Sequence, residues 1–279
     1  MSAVPQPTQS VEEIELNLLL EGIYRHYGFD FRNYALSSLR RRVWNIMKNE
    51  NVPSISLLQD RILHDPSCLE RFLYSLSVNV SAMFRDPHFY SVFRKEVVPL
   101  LRTYPFIRIW QAGVSMGEEV YSLAILLQEE GIYDRCRIYA TDINDSVLKK
   151  AKDGIYPIEL MQTYTNNYIR AGGTRSFSDY YTAAYDRVIL KSSLRDNVVF
   201  AQHNLASDAS FNEFHVILCR NVMIYFNSEL QAQVHHLLHD SLVMFGVIGL
   251  GARETMRFSP HEHSYEEIDN AARLYRRIA

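Results

Sequence analysis

The sequence predicts an α/β protein in which a small all-α amino-terminal domain precedes a doubly wound, Rossmann-like sheet that carries a small antiparallel β insertion. Three observations support this prediction. Before residue 105, apolar residues recur at helical spacing and no strand pattern occurs. From residue 107, a strand, a glycine turn, a helix and a second strand follow one another, as in a nucleoside-binding sheet. A stretch rich in Tyr and Thr at 156–189 ends in an alternating pattern before apolar strands resume.

The amino-terminal domain is predicted to be a helical bundle. Residues 1–10 hold prolines and small polar residues and are expected to form a flexible tail. Helices are predicted over residues 11–25, 36–50, 54–63 and 67–77. With the linker that follows them, these helices define a domain over residues 11–90.

The remaining chain, residues 91–279, is predicted to form the α/β domain, with the β insertion at about 165–195. Helices are predicted over 89–101, 118–130, 145–153, 157–168 and 228–242. Strands are predicted from residue 107 and over 137–142, 198–204, 214–221, 245–251 and 273–278. The last two of these strands are expected to close the sheet.

Composition indicates a globular, cytoplasmic protein. Of 279 residues, 47% are hydrophobic and 22% are charged, so the chain can bury a full core. The net charge of −3 does not favour wrapping by nucleic acid or binding to an anionic membrane. The three cysteines are far apart and form no CxxC pair, which is typical of a reduced compartment. No signal peptide or membrane-spanning stretch is recognised, and a monomer is expected.

The glycine turn after the first strand indicates a nucleoside site. Gly113 and Gly117 carry no Cβ, so the backbone can turn tightly there and approach a ligand. Asp142 ends the next strand about 25 residues further on, where an acid binds the ribose hydroxyls in many doubly wound sheets. Asn204 and Arg220 also end predicted strands. Because ligands bind at the carboxyl ends of parallel strands, these four residues should line one binding site at that edge of the sheet.

The residues of the turn favour S-adenosylmethionine as the ligand. The spacing is G-x-x-x-G and not the G-x-G-x-x-G of a dinucleotide site. Glu118 and Glu119 stand where a polyphosphate would have to lie, and they suit a cation instead. S-adenosylmethionine carries a sulfonium and an ammonium group and no phosphate. An ordinary βαβ turn with glutamates at a helix N-terminus explains the turn alone equally well.

Two other polar features have open interpretations. Arg40, Arg41 and Arg42 form either a solvated helix face or a docking patch for an acidic partner. His235 and His239 could share a helix face, but no H-E-x-x-H pattern or third ligand accompanies them. No metal site is therefore predicted.

Four motifs together resemble the CheR family of chemoreceptor glutamate methyltransferases. They are Asn79-Val-Ser-Ala-Met-Phe-Arg-Asp-Pro, Gly113-Val-Ser-Met-Gly-Glu-Glu-Val-Tyr-Ser-Leu, Ala140-Thr-Asp-Ile-Asn-Asp and Cys219-Arg-Asn-Val-Met-Ile-Tyr-Phe. The resemblance covers about residues 11–279 and implies a class I SAM-dependent methyltransferase domain behind the helical domain. It implies methyl transfer from S-adenosylmethionine to glutamates of a chemoreceptor's cytoplasmic helical bundle, with S-adenosyl-L-homocysteine as the second product.

Carried over by position, the resemblance also implies site residues. The cofactor pocket would be formed by Asn79, Ser81, Arg85, Gly113, Glu118, Asp142, Asn204, Leu205, Cys219 and Arg220. Arg85 and Tyr225 would shape catalysis, and the receptor would dock on Arg40, Arg41 and Arg42. No general base is needed, because a glutamate carboxylate is already ionised at neutral pH.

Some alternatives remain at this stage. The insertion around 170–181 differs from versions that grip a receptor's tether peptide, so tether-independent recognition is expected. A catalytically silent adaptor that binds the cofactor or its product in a signalling complex would share these motifs. So would a methyltransferase of the same fold that acts on another protein or on a small molecule.

Overall fold

A computed structural model of the protein describes residues 9–76 and 81–279, which form two compact units. The first, here called the helical unit, contains the described residues up to Leu76 and the segment Tyr225–Leu230. The second, the sheet unit, contains the described residues from Ser81 to Ile224 and the segment Gln231–Ala279. Most of the predicted tail, and Asn79, lie outside the described residues.

The helical unit contains the four predicted helices, with every end within two residues of its predicted position. They are α1 (Val11–Tyr27), α2 (Leu36–Glu50), α3 (Ile55–His64) and α4 (Pro66–Leu76). A capping box starts α1: the Ser10 hydroxyl accepts from the Glu13 N–H at 3.2 Å, and the Glu13 carboxylate accepts from the Ser10 N–H at 3.3 Å. Gly28 ends α1 in the left-handed region, with φ of 80°.

The sheet unit is built on seven strands, which are β1 (Ile107–Ala112), β2 (Cys136–Asp142), β6 (Val198–Gln202), β7 (Phe214–Cys219), β8 (Leu242–Leu250), β9 (Tyr265–Asp269) and β10 (Leu274–Arg277). Their order in the sheet is β6-β2-β1-β7-β8-β10-β9. The five strands from β6 to β8 pair in parallel, and β10 and β9 extend the sheet in antiparallel pairing. The α/β class and the doubly wound sheet predicted from the sequence are confirmed.

Helices accompany this sheet along the chain. They are α5 (Pro87–Val92), α6 (Val98–Leu101), α7 (Glu118–Glu129), α8 (Asp145–Asp153), α9 (Met161–Arg170) and α10 (Ser228–Ser241). A π-helical stretch, Phe93–Val97, separates α5 from α6, where the sequence predicts one helix over 89–101. Pro99 has no N–H to donate to a carbonyl one turn earlier, which explains why regular α-helix is interrupted there. Among the described residues, no helix combines the length and the apolar character that a bilayer crossing would need.

A three-stranded antiparallel sheet forms the insertion. It consists of β3 (Ile155–Pro157), β4 (Tyr181–Ala184) and β5 (Arg187–Leu190), in the order β3-β5-β4. The sheet therefore begins at Ile155, earlier than the 165 expected from the sequence. Its tyrosines attach it to α7, where the Tyr180 hydroxyl donates to Glu129 Oε1 at 2.9 Å.

Candidate functional site

The turn between β1 and α7 depends on two glycines. Gly113 and Gly117 have φ of 74° and 87°, a region that residues with a Cβ rarely adopt. A Cβ on Gly113 would lie 2.4 Å from Val222 Cγ2, and one on Gly117 would lie 2.8 Å from the Cβ of Ala151. The turn is thus packed closely against the segment that follows β7 and against α8, so it has one defined shape.

A Gly113→Ala variant is expected to be less stable than the wild type by about 2–4 kcal/mol, because the new methyl adds a clash to the cost of the left-handed backbone. Urea unfolding followed by circular dichroism measures this difference. Gly131→Ala is the matched control, since Gly131 has φ of 67° and a methyl added there would meet no described atom within 4 Å. Equal losses for the two variants would mean that contact with Val222 is unimportant.

Asp142 fastens this turn to the end of β2. Its Oδ2 accepts from the Ser115 N–H at 2.9 Å, and its Oδ1 accepts from the Asn144 N–H at 3.0 Å. The side chain is buried, and burial raises the pKa of Asp142 in spite of these hydrogen bonds. Each carboxylate oxygen has a further lone pair, so Asp142 can also accept hydrogen bonds from a pair of ligand hydroxyls.

Glu118 places a buried carboxylate at the first position of α7. Its exposed fraction is 5%, and no described residue forms a hydrogen bond with its Oε2. Burial raises the pKa of Glu118, although hydrogen bonding from its own backbone N–H and from the Ser81 hydroxyl acts to lower it. A buried carboxylate without a cation is unfavourable, and a positively charged ligand would remove that penalty. An ammonium group therefore fits this position, as the predicted cofactor requires.

Arg220 joins three segments of the sheet unit just after β7. Its Nη1 lies 2.8 Å from Glu119 Oε1 and its Nη2 lies 2.9 Å from Asp86 Oδ2. Its guanidinium carbon is 4.0 Å from the centre of the Phe89 ring. Burial opposes the charge, but the Glu119 carboxylate and its neighbours raise the pKa of Arg220 above the ordinary value. The guanidinium is therefore a permanent positive charge at the carboxyl edge of the sheet.

Sequence reasoning missed Glu254, and it did not predict that Glu119 and Asp86 form ion pairs with Arg220. Glu119 and Asp86 belong to recognised motifs, but nothing in the motifs indicates that Arg220 binds both. Glu254 follows β8 and accepts four hydrogen bonds from backbone N–H groups. No spacing signal points to Glu254, because its partners at Asn221 and Val222 lie more than thirty positions earlier.

The other predicted pocket residues are placed less favourably for side-chain contact with a ligand. The sequence predicts that Asn204 ends a core strand. Strand β6 instead ends at Gln202 on the sheet edge, and Asn204 lies in the loop that follows. Asn204 Oδ1 accepts from the Ala206 N–H at 3.0 Å, and Leu205 is half-buried beside it. The Cys219 thiol is fully buried in the sheet, which raises its pKa well above the ordinary value. Any ligand contact from Cys219 would have to come from its backbone.

The three arginines of α2 do not form one surface patch. Successive residues of a helix point about 100° apart. Arg41 is exposed, whereas Arg40 lies 2.7 Å from Glu13 in an ion pair. Arg42 is buried: it donates to the Leu76 carbonyl, and its guanidinium carbon is 4.4 Å from the centre of the Tyr225 ring. Arg42 is therefore not available to dock a partner, and the prediction of a three-arginine patch is wrong on this point.

Arg85 and Tyr225 fall in different units. Arg85 is half-buried in the sheet unit, in the segment that precedes α5. Tyr225 belongs to the helical unit, where it is half-buried and packs against Arg42. Their catalytic roles remain predictions.

The histidines of α10 interact with groups near the end of the sheet. His236 Nδ1 lies 2.6 Å from His261 Nε2, and His239 Nδ1 lies 3.2 Å from the Tyr265 hydroxyl. Within residues 9–76 and 81–279, no three His, Cys, Asp or Glu side chains are grouped to hold a metal ion.

The doubly wound sheet, its glycine turn and the acids beside it define a class I methyltransferase that uses S-adenosylmethionine. The family model for the CheR methyltransferase SAM-binding domain matches residues 79–272, and the model for the CheR all-alpha domain matches residues 14–77. The chain therefore belongs to the CheR methyltransferase family. The family, the enzyme class and the cofactor predicted from the sequence are confirmed.

Three relatives illustrate how far this similarity extends. The putative methyltransferase Cher3 of Pseudomonas putida is 49% identical over 265 residues, covering 95% of this chain and 97% of that protein. A chemotaxis protein methyltransferase of Listeria innocua is 28% identical, covering 89% of this chain and 92% of the relative. Chemotaxis protein methyltransferase 1 of Pseudomonas aeruginosa is 29% identical, with 83% and 85% covered.

Proposed function

We propose that the protein transfers a methyl group from S-adenosylmethionine to glutamate side chains of a chemoreceptor's cytoplasmic helical bundle. The products are glutamyl γ-methyl esters and S-adenosylhomocysteine. The observation that carries the proposal is the buried Glu118 carboxylate, whose Oε2 has no partner among the described residues, at the turn of a CheR-family sheet. Relatives named as chemotaxis protein methyltransferases support the choice of substrate.

The reaction makes modest demands on the protein. When bound, S-adenosylmethionine supplies an electrophilic methyl group on a sulfonium. Glu118 would hold the ammonium end of the cofactor and Asp142 the ribose hydroxyls. Arg85 would orient the receptor carboxylate, since a guanidinium binds carboxylates with defined geometry. No group has to remove a proton, because the attacking carboxylate is already ionised. The rate enhancement then comes from orientation and exclusion of water.

Methyl transfer from radiolabelled S-adenosylmethionine to membranes that contain the receptors tests this proposal. Base-labile label in the receptors, lost in an Arg85→Ala variant, would support both the reaction and the role of Arg85. Binding of S-adenosylhomocysteine without any label in the receptors would contradict the proposed substrate. That result would favour an adaptor, or a methyltransferase that acts on another protein.

The exposed stripe of α2 is the proposed docking surface for the receptor. Arg41, Trp44 and Lys48 are all exposed there, and they recur every three to four residues along one side of the helix. An acidic helical partner would complement the two positive charges, and the indole offers an apolar anchor. This surface replaces the predicted three-arginine patch.

Reversing the charge in an Arg41→Glu variant is expected to raise KM for receptor membranes about ten-fold, with a smaller effect at high salt. The dissociation constant for S-adenosylhomocysteine should not change. Arg25→Glu is the matched control, because Arg25 is an exposed arginine of the same unit on a different helix. An unchanged KM for Arg41→Glu, or an equal rise in both variants, would exclude this docking surface.

A further inference from the structure

Glu254 has an unusual number of backbone partners for one carboxylate. Its Oε2 accepts from the N–H groups of Asn221 at 2.8 Å and Gly251 at 2.6 Å. Its Oε1 accepts from Val222 at 2.8 Å and Ile224 at 3.3 Å. Two oxygens of an ionised carboxylate offer about four lone-pair sites, so the acceptor capacity is fully used.

Burial raises the pKa of Glu254, and these backbone dipoles offset part of the cost of burying its carboxylate. The side chain is 5% exposed, and no Lys, Arg or His within the described ranges forms a salt bridge with it. Converging N–H groups form a concave anion-binding site, of the kind that backbone turns provide for anionic ligands. Here the anion is a side chain of the protein itself, so the arrangement serves to hold the turn.

The turn that Glu254 holds carries side chains of the cofactor site. Arg220 begins the turn and binds Glu119 of α7, and Val222 packs directly against Gly113 of the glycine turn. Asn221 has φ of 60°, which costs free energy for a residue with a Cβ and requires fixing by its surroundings. The backbone of Gly251 also approaches closely, since a Cβ there would lie 2.6 Å from the Asn221 nitrogen. The position of the turn thus depends on the segment that follows β8.

We propose that Glu254 is a positioning residue of the methyl-transfer site, which fixes the 220–222 turn and, through the contact of Val222 with Gly113, the glycine turn of the cofactor site. The inference rests on the proposed cofactor site. It assigns Glu254 no contact with the cofactor or the substrate. Replacing Glu254 should therefore weaken cofactor binding and misalign the reacting groups. These losses should be larger than the loss of folding stability.

A Glu254→Gln variant tests the proposal directly. Glutamine has nearly the same size, but it replaces one acceptor oxygen with an NH2 group that would face two N–H donors. The dissociation constant for S-adenosylhomocysteine is expected to rise about ten-fold or more, and kcat at saturating cofactor to fall by a similar factor. Glu254→Asp keeps the charge and both oxygens on a shorter stem, so it should show a smaller rise.

Glu262→Gln is the matched control, because Glu262 lies in the same loop and accepts a single backbone bond, from Phe258 at 2.8 Å. Its dissociation constant should stay within about two-fold of the wild type, as expected for a single exposed hydrogen bond. The wild type, both Glu254 variants and the control are compared by calorimetric titration, by steady-state kinetics and by melting temperature.

A lower melting temperature with an unchanged dissociation constant and kcat would overturn the proposal, since Glu254 would then be only structural. If Glu254→Gln does not fold, the dissociation constant of Glu254→Asp for S-adenosylhomocysteine tests the proposal in its place. Wild-type protein that binds S-adenosylhomocysteine but does not label receptors would count against the proposed substrate alone, because the affinity comparison is made without a receptor.

Discussion

Replacing Arg220 by Met is expected to lower kcat/KM for methyl transfer at least about 100-fold and to reduce the free energy of unfolding by about 3 kcal/mol. Methionine can still pack over the Phe89 ring, but Glu119 and Asp86 lose their shared cation. Both carboxylates are partly exposed, which keeps the loss at the lower end of the range for a broken buried ion pair. Steady-state kinetics and urea unfolding measure the two effects.

A second substitution separates the two effects of Arg220. Adding Glu119→Gln to Arg220→Met removes one of the two unpaired carboxylates, so stability should recover while kcat/KM stays low. Arg220→Lys should lie between the wild type and Arg220→Met, because one ammonium cannot bind two carboxylates with the geometry of a guanidinium. Full activity in Arg220→Met would show that the residue has no part in the site.

The elements that the sequence predicts well are those whose signals are local. Gly28 marks the end of α1, and the apolar run from Ile107 leads directly into the glycine turn. The capping box at Ser10 is also a local signal, but Ser10 was assigned to the flexible tail. Edge strands were predicted less well. Strand β9, Tyr-Glu-Glu-Ile-Asp, was not predicted, because an edge strand with exposed charged residues lacks a continuous apolar run. Strand β6 looks apolar enough for the core, but pairs with β2 alone.

The site shows the same division between local and distant contacts. Gly113, Glu118 and Asp142 could be predicted because a turn, a helix start and a strand end each have a sequence pattern. The partners of Arg220 and Glu254 could not, since these contacts join separate segments of the chain and no periodicity records them. The burial of Arg42 did have a signal: it lies beside Leu39, Val43 and Ile46, which form the apolar stripe of α2.

The affinity for S-adenosylhomocysteine is expected to weaken as the pH falls, through protonation of Glu118. Burial raises the pKa of Glu118 in the ligand-free site, so its carboxylate takes up a proton at a higher pH than an exposed glutamate. The ammonium of the ligand requires the ionised form. Well below the raised pKa, each unit of pH should therefore raise the dissociation constant up to about ten-fold, and above it the dissociation constant should be constant.

Glu118→Gln removes the titrating group while preserving the shape of the side chain. At pH 8 the dissociation constant should rise about 10- to 100-fold, because a charged partner of the ammonium is lost. The steep pH dependence should disappear as well. Burial also raises the pKa of Asp142, so any slope that remains in the variant belongs to that residue. Calorimetric titrations from pH 5 to pH 8 show whether Glu118 or Asp142 causes the pH dependence of the dissociation constant. If Glu118→Gln retains the wild-type pH dependence, Glu118 does not bind the ammonium.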